Sequence, residues 1–162
     1  RCRGPGSNRD GAFPGGSVGR TMMTLDSSVV IPTLDSTHES HEQAITFVEG
    51  AGELRLITHV VLETYNTLTR TRRYRRLPAG AVAGVLRNTF PGPLVELAAE
   101  DYWTLMDRAP QLGIVGGAIF DALIATAAVR SGLKLISRDQ RASKTYSALG
   151  VDFELLPNSM ET

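Results

Sequence analysis

The sequence predicts a three-layer α/β/α domain around a mostly parallel central sheet, and two observations carry that expectation. Short apolar runs of strand length alternate with longer stretches in which apolar residues recur at helical spacing. Gly and Pro clusters punctuate the joins, and no internal repeat interrupts the alternation. At 162 residues the chain suffices for one domain with a proper core. Its 42% hydrophobic and 21% charged content belongs with ordinary globular proteins. No apolar run reaches the roughly 20 residues of a membrane-spanning helix, so no membrane role is expected.

The opening segment, RCRGPGSNRDGAFPGGSVGR, is crowded with Gly, Pro and Arg and lacks the apolar stretch of a secretory signal. Residues 1–21 are therefore expected to be a disordered leader or a start-site artefact. The folded unit is expected over 22–157, with 158–162 as a tail. MMTL (22–25) reads as the first strand, and DSS turns it into a helix cap. HESHEQAITFVEGAG carries Ala44, Phe47 and Val48 at helical spacing and stops at Gly50 and Gly52. LRLIT (54–58) reads as a second strand, passing directly into the helix HVVLETYNTLTR, where Val61, Tyr65 and Leu68 share a face. Pro78 opens the helix AGAVAGVLRNTF, closed by PGP at 91–93. LVEL (94–97) reads as a strand and AAEDYWTLMDRA (98–109) as a helix. AIFDALIATAAV (118–129) is a helix ended by Gly132, and LKLIS (133–137) is a strand. QRASKTYSALG (140–150) is a helix with a glycine stop, and VDFELL (151–156) is a closing strand with period-2 alternation.

Setting the leader aside changes two readings. The lone cysteine, Cys2, lies within it, so the folded part holds no thiol for disulfides, metal ligation or nucleophilic attack, as suits a reducing cytoplasm. Residues 1–21 also hold four of the 17 basic residues and one of the 17 acidic ones, leaving a net charge of −3 on the remainder. Bulk charge therefore gives no sign of a nucleic-acid binder, and any such contact must be local.

In AIFDALIATAAV eleven of twelve residues are uncharged, and the exception is Asp121. Burying a lone carboxylate costs on the order of several kcal/mol, so the position asks for a cation or a task. Parallel sheets bind ligands at the carboxyl ends of their strands. Asp26 follows the first strand directly, Asp139 comes two residues after the strand ending at Ser137, and Glu63 lies about a helical turn beyond the strand ending at Thr58. Asp121, at a helix start, can join them. Clustered carboxylates raise one another's pKa unless a cation neutralises them. Oxygen ligands without His or Cys suit Mg²⁺ or Mn²⁺, ions that can activate water for phosphodiester cleavage. Taken singly, Asp26 and Asp139 also suit helix caps, and Glu63 shares a stripe with His59, Asn66, Thr67 and Arg70 that reads as a solvated face. The conjunction weighs more than any one member.

LDSSVVI, HVVLETYNTLTR, GGAIFDALIATAA and LISRDQRASKTYSALGV together resemble the four motifs of PIN-domain ribonucleases, specifically VapC-type toxins of toxin–antitoxin pairs. The resemblance runs from about Met22 to Pro157. It implies a PIN-like α/β/α fold and puts the acidic ligands on Asp26, Glu63, Asp121 and Asp139, with Ser28 and Ser137 as assisting hydroxyls. It further implies Mg²⁺- or Mn²⁺-dependent endonucleolytic cleavage of RNA, of the tRNA or rRNA class. Activated water would attack phosphorus in line and leave a 5′-phosphate and a 3′-hydroxyl. Asp26, Asp121 and Glu63 would hold the metal, and Asp139 would complete the site or orient the water. A cognate antitoxin and a toxin homodimer are implied as partners. The leader departs from the compact family pattern.

RTRRYRR (70–76) offers Arg70, Arg72, Arg73, Arg75 and Arg76 to RNA phosphates and Tyr74 for stacking; a solvated linker or a surface for an acidic antitoxin segment is the bland alternative. Arg138 and Arg141 flank Asp139 and either contact phosphate or balance local charge. His38 and His41 lack a third zinc ligand, and His59 reads as a surface histidine. No glycine-rich phosphate loop is present, and Ser27 and Ser28 have no paired His or Lys. An aspartyl-nucleophile phosphatase would need a second Asp where Ser28 stands. The competing readings are a PIN-like module that binds RNA or protein without cleaving and, more distantly, a receiver-like Mg²⁺ switch, which expects adjacent acids on the first strand and a late lysine.

Overall fold

The computed structural model describes residues 21–70 and 77–157. Nearly all of the expected leader, most of the arginine run and the expected tail lie outside the described residues.

Three parallel strands form the sheet: β1 (Met23–Leu25), β2 (Lys134–Ser137) and β3 (Phe153–Leu155), in the order β1-β2-β3. Two of the five expected strands shrink to single parallel bridges, Met23 with Leu54 and Ile57 with Val95. The reason is local. The helix α3 (Thr58–Arg70) starts one residue after Ile57, and Val95 follows Pro91-Gly92-Pro93, whose prolines have no N–H to lengthen a ladder. These bridges still extend the sheet, so its spatial order is the Val95 segment, the 54–57 segment, β1, β2 and β3.

The chain thus steps outward from β1 to Val95, then returns to the other side of β1 to lay down β2 and β3. Right-handed crossovers put the first set of helices on one face and the second set on the other. Packing agrees. The helix α1 (Ser27–Leu34) packs on α2 (His41–Gly50) and α3, and α3 packs on α4 (Ala79–Thr89). Opposite, α6 (Ala118–Arg130) packs on α5 (Ala99–Arg108) and α7 (Ser143–Leu149). Both α1 and α6 contact β2, giving the three layers expected. A 3-10 turn at Ala109–Leu112 was not legible in the sequence. Gly132 and Gly150 end α6 and α7 with φ of 63° and 71°, a backbone region that glycine adopts without steric cost. Among the described residues no helix is long and apolar enough to cross a membrane.

The core is apolar and continuous across the sheet: Leu25, Val29 and Val30 meet Leu135, Ile136 and the alanines of α6, with Tyr146 edge-on to Phe153 at 5.4 Å. The small side chains of α6 let it lie close on β2, since Ala125, Ala127 and Ala128 are fully buried. Reversal of the strand order beside β1 creates a switch point between β1 and β2, where sheets of this kind leave a crevice at their carboxyl ends.

Leu135, fully buried on the central strand, sets the scale of this core. Leu135→Ala is expected to lower the unfolding free energy by about 2–5 kcal/mol in urea melts, while Val129→Ala on the exposed flank of α6 changes it by less than about 0.5 kcal/mol.

Candidate active site

Asp26 ends β1 at the switch point, and it is 95% shielded from solvent, with 5% of its surface exposed. Its position is the N-cap of α1, yet its side chain makes no capping hydrogen bond, so the capping reading fails for this residue. Instead Oδ2 accepts from Ser28 Oγ at 2.7 Å and from Ser137 Oγ at 2.8 Å. Each hydroxyl in turn accepts a backbone N–H: Arg138 N–H donates to Ser28 Oγ at 2.9 Å and Asp139 N–H to Ser137 Oγ at 3.0 Å. The two serines singled out as assisting hydroxyls therefore clamp Asp26 and tie the loop after β1 to the loop after β2.

Asp139 takes its place through that clamp. Its Oδ1 accepts the Arg141 backbone N–H at 2.9 Å, a turn-capping bond, and both oxygens accept the Arg141 guanidinium at 3.1 Å. Burial alone would raise its pKa, but the Arg141 hydrogen bonds and charge outweigh burial and hold the carboxyl below its ordinary value. Glu63, on the second turn of α3, is half-buried. Desolvation and the charges of Asp26 and Asp139 push its pKa up, partly offset by the Ser27 hydroxyl. Asp121, in the first turn of α6, is also half-buried and not engulfed as its sequence context implied. Its pKa rises from 3.8 to about 6, first through desolvation, then through Asp26, Asp139 and Glu63, with Arg141 opposing. Tyr146 is buried within the field of the acids: burial and the charge of Asp26 raise its pKa, with the Ser137 hydroxyl opposing.

The four acids thus act on one another from four separate elements. Among the described residues no three Asp, Glu, His or Cys side chains close into a ready-made metal group, so the carboxylates share a field without forming a tight shell. Arg141, the cation that acts on Asp121, is nearly fully exposed and already bound to Asp139. By donor chemistry the cluster fits a hard divalent ion: every candidate donor is a carboxylate oxygen, and beyond the Arg141–Asp139 pair the mutual repulsion is unneutralised.

The basic residues fall out differently. Arg138 does not face the acids. Its guanidinium is buried against α2, donating to Ser40 Oγ at 2.8 Å and Gln43 Oε1 at 3.2 Å, and burial lowers its pKa. Arg141 is engaged with Asp139, and Arg70 is exposed at the end of α3. Arg72, Arg73, Tyr74, Arg75 and Arg76 lie outside the described residues. A cleft of about 500 Å³ opens beside the acids, lined by Ser28, His38, Ser40, Thr67, Arg138 and Asp139 among others. His59, a surface histidine by its sequence, stacks on Phe120, the residue before Asp121, a tertiary contact with no signal in the sequence.

A family model for the PIN domain matches residues 23–148. The chain belongs to the PIN-domain family. Two relatives from Mycobacterium tuberculosis bear names that specify an activity. Ribonuclease VapC40 is 35% identical over 135 residues, covering 83% of this chain and 99% of that protein. Ribonuclease VapC27 is 37% identical over 129 residues, covering 80% and 93%. Solved structures agree on the PIN fold at lower identity. VapC20 of Mycobacterium tuberculosis, described as a sarcin-ricin loop cleaving toxin, superposes with a TM-score of 0.63 at 18% identity over 80% of this chain and 95% of that one. VapBC2 of Rickettsia felis, bound to a promoter DNA fragment, does so with 0.60 at 13% identity over 85% and 100%.

The raised pKa of Asp121 has a consequence for this PIN domain's stability. The folded state binds the Asp121 proton more tightly than the unfolded chain does, so stability is lost as pH rises through about 6. Asp121→Asn removes that cost. Its melting temperature in EDTA is expected to exceed that of the wild type at pH ~7.5, with the gap closing as pH falls towards about 4. A variant less stable than wild type at the higher pH contradicts the coupled-field picture.

Proposed function

We propose that this chain is a Mg²⁺- or Mn²⁺-dependent endoribonuclease that serves as the toxin of a toxin–antitoxin pair. The observation that carries the reading is the convergence of Asp26, Glu63, Asp121 and Asp139 on the switch point, largely without basic neutralisation, in a chain over a third identical to PIN-domain proteins named ribonucleases. Asp26, Glu63 and Asp121 would hold the ion, with Asp139 completing the set. A bound divalent ion would supply Lewis acidity and lower the pKa of water at the site.

The chain's own residues supply the rest. Ser28 and Ser137 fix the Asp26 carboxylate, so it enters the site in one orientation. Asp139, held by Arg141 and by its N–H on Ser137, stays ionised and suits the task of orienting an attacking water. In-line attack would leave a 5′-phosphate and a 3′-hydroxyl. The cleft lined by Ser40, Thr67 and Arg138 gives a strand room to approach. A cognate antitoxin, a homodimeric assembly and a cytoplasmic setting complete the proposal, supported by the VapC relatives and by the family resemblance.

Incubation of the purified protein with total RNA and Mn²⁺ is expected to yield discrete fragments with 5′-phosphate ends. EDTA should suppress them. Asp121→Asn should slow cleavage by roughly 10²-fold or more, since losing a carboxylate that holds the ion costs at least the roughly 10–100-fold typical of a metal ligand's outer partners. Equal cleavage by the wild type and Asp121→Asn sinks the assignment. RNA bound but left intact by the wild type would favour the non-catalytic module instead.

A further inference from the structure

The rim of the acid cluster carries an aromatic pair that the proposed chemistry does not use. His59 stands in the first turn of α3, one turn before Glu63, and Phe120 stands in the first turn of α6, directly before Asp121. Their rings stack with centroids 5.1 Å apart and planes 9° from parallel. Both helices start at the carboxyl edge of the sheet, α3 because it leaves Ile57 directly, α6 because it runs antiparallel into β2. The two rings therefore sit together at the mouth of the crevice, each on an element that also delivers an acid.

Phe120 is 52% exposed, whereas His59 is half-buried behind it. Desolvation lowers the His59 pKa, which keeps the imidazole neutral and apolar enough to back a phenyl ring at neutral pH. A helix-to-helix staple would be served as well by an aliphatic side chain. An aromatic ring braced by a second ring and half exposed to solvent offers a flat surface next to Asp121. Single-stranded RNA is gripped in just this manner, by bases stacking on aromatic side chains with little regard to sequence.

We propose that Phe120, braced by His59, is the stacking platform for the base adjoining the scissile phosphate of a single-stranded RNA substrate. The inference rests on the ribonuclease reading and adds a positioning residue to it. Stacking there holds the neighbouring phosphate over the four acids, so Phe120 acts on substrate binding and register and not on bond breaking.

The test uses a short single-stranded RNA containing 2-aminopurine, whose fluorescence is quenched on stacking, with Mg²⁺ and in an Asp121→Asn background whose slowed cleavage leaves the RNA intact over the binding measurement. Quenching is expected on binding. Adding Phe120→Leu, which keeps apolar packing, should abolish the quench and weaken binding about tenfold, within the range for losing one stacked base. Phe120→Trp should retain both. In the cleaving protein the same Phe120→Leu change should raise KM far more than it lowers kcat, at an unchanged melting temperature. Unaltered quenching and KM in Phe120→Leu overturn the platform and leave the ribonuclease reading intact, provided the wild type cleaves. Failure of the wild type to bind or cleave RNA overturns both. Should Phe120→Leu unfold, His59→Leu is read by the same quench, and full quenching there overturns the bracing role and the platform built on it.

Discussion

The carboxylate of Asp26 is the constraint on which the site depends. It is buried at the end of the first strand, where an ionised group survives only if its lone pairs are satisfied. Ser28 and Ser137 both donate to Oδ2, Ser27 Oγ reaches Oδ1 at 3.5 Å, and the hydroxyls of Ser28 and Ser137 receive the backbone N–H groups of Arg138 and Asp139. One carboxylate thereby fixes the β1–β2 switch point as a unit, and the orientation of Asp139 follows from it. The field of Asp26 then reaches outward to Glu63 and Asp121, raising both. A neutral residue at position 26 would loosen the loops and quiet the field at the same time.

Fold and site pull in opposite directions here. The core under the sheet is apolar and closely packed, and α6 contributes fully buried alanines to it. That close approach is what carries Asp121, in the first turn of the same helix, into the company of three other acids. Arg141 neutralises Asp139 and reaches Asp121 only in part. The remaining repulsion is a local cost to the fold, sustained by the packing beneath it, of the kind found where a site is shaped for a cation or a substrate and not for stability.

Asp26 and Asp139 were legible in the sequence because they follow apolar strands, and a parallel sheet sends such residues to one edge. Asp121 stood out as a charge in an apolar helix. Glu63 was placed by its position about a helical turn beyond an expected strand, although its own stripe looks like a solvated face. Other features resisted for physical reasons. The segments at 54–58 and 94–97 have strand-like composition, but adjacent helix and proline geometry cut each to a single bridge. Arg138 sits beside Asp139 in sequence, yet in the loop after β2 its guanidinium is held by Ser40 and Gln43 and not by the acids. The His59–Phe120 stack joins residues 61 positions apart, a tertiary contact that no local pattern announces.

The proposed function requires the four carboxylates to form a single electrostatic unit that a divalent cation completes. Carbon-13 NMR titration of the Asp121 carboxyl, with and without saturating Mg²⁺, tests it directly. The expected metal-free value is about 6, above the ordinary 3.8, falling below that ordinary value once Mg²⁺ is added. An ordinary value without metal, or a raised value that Mg²⁺ leaves untouched, would contradict it.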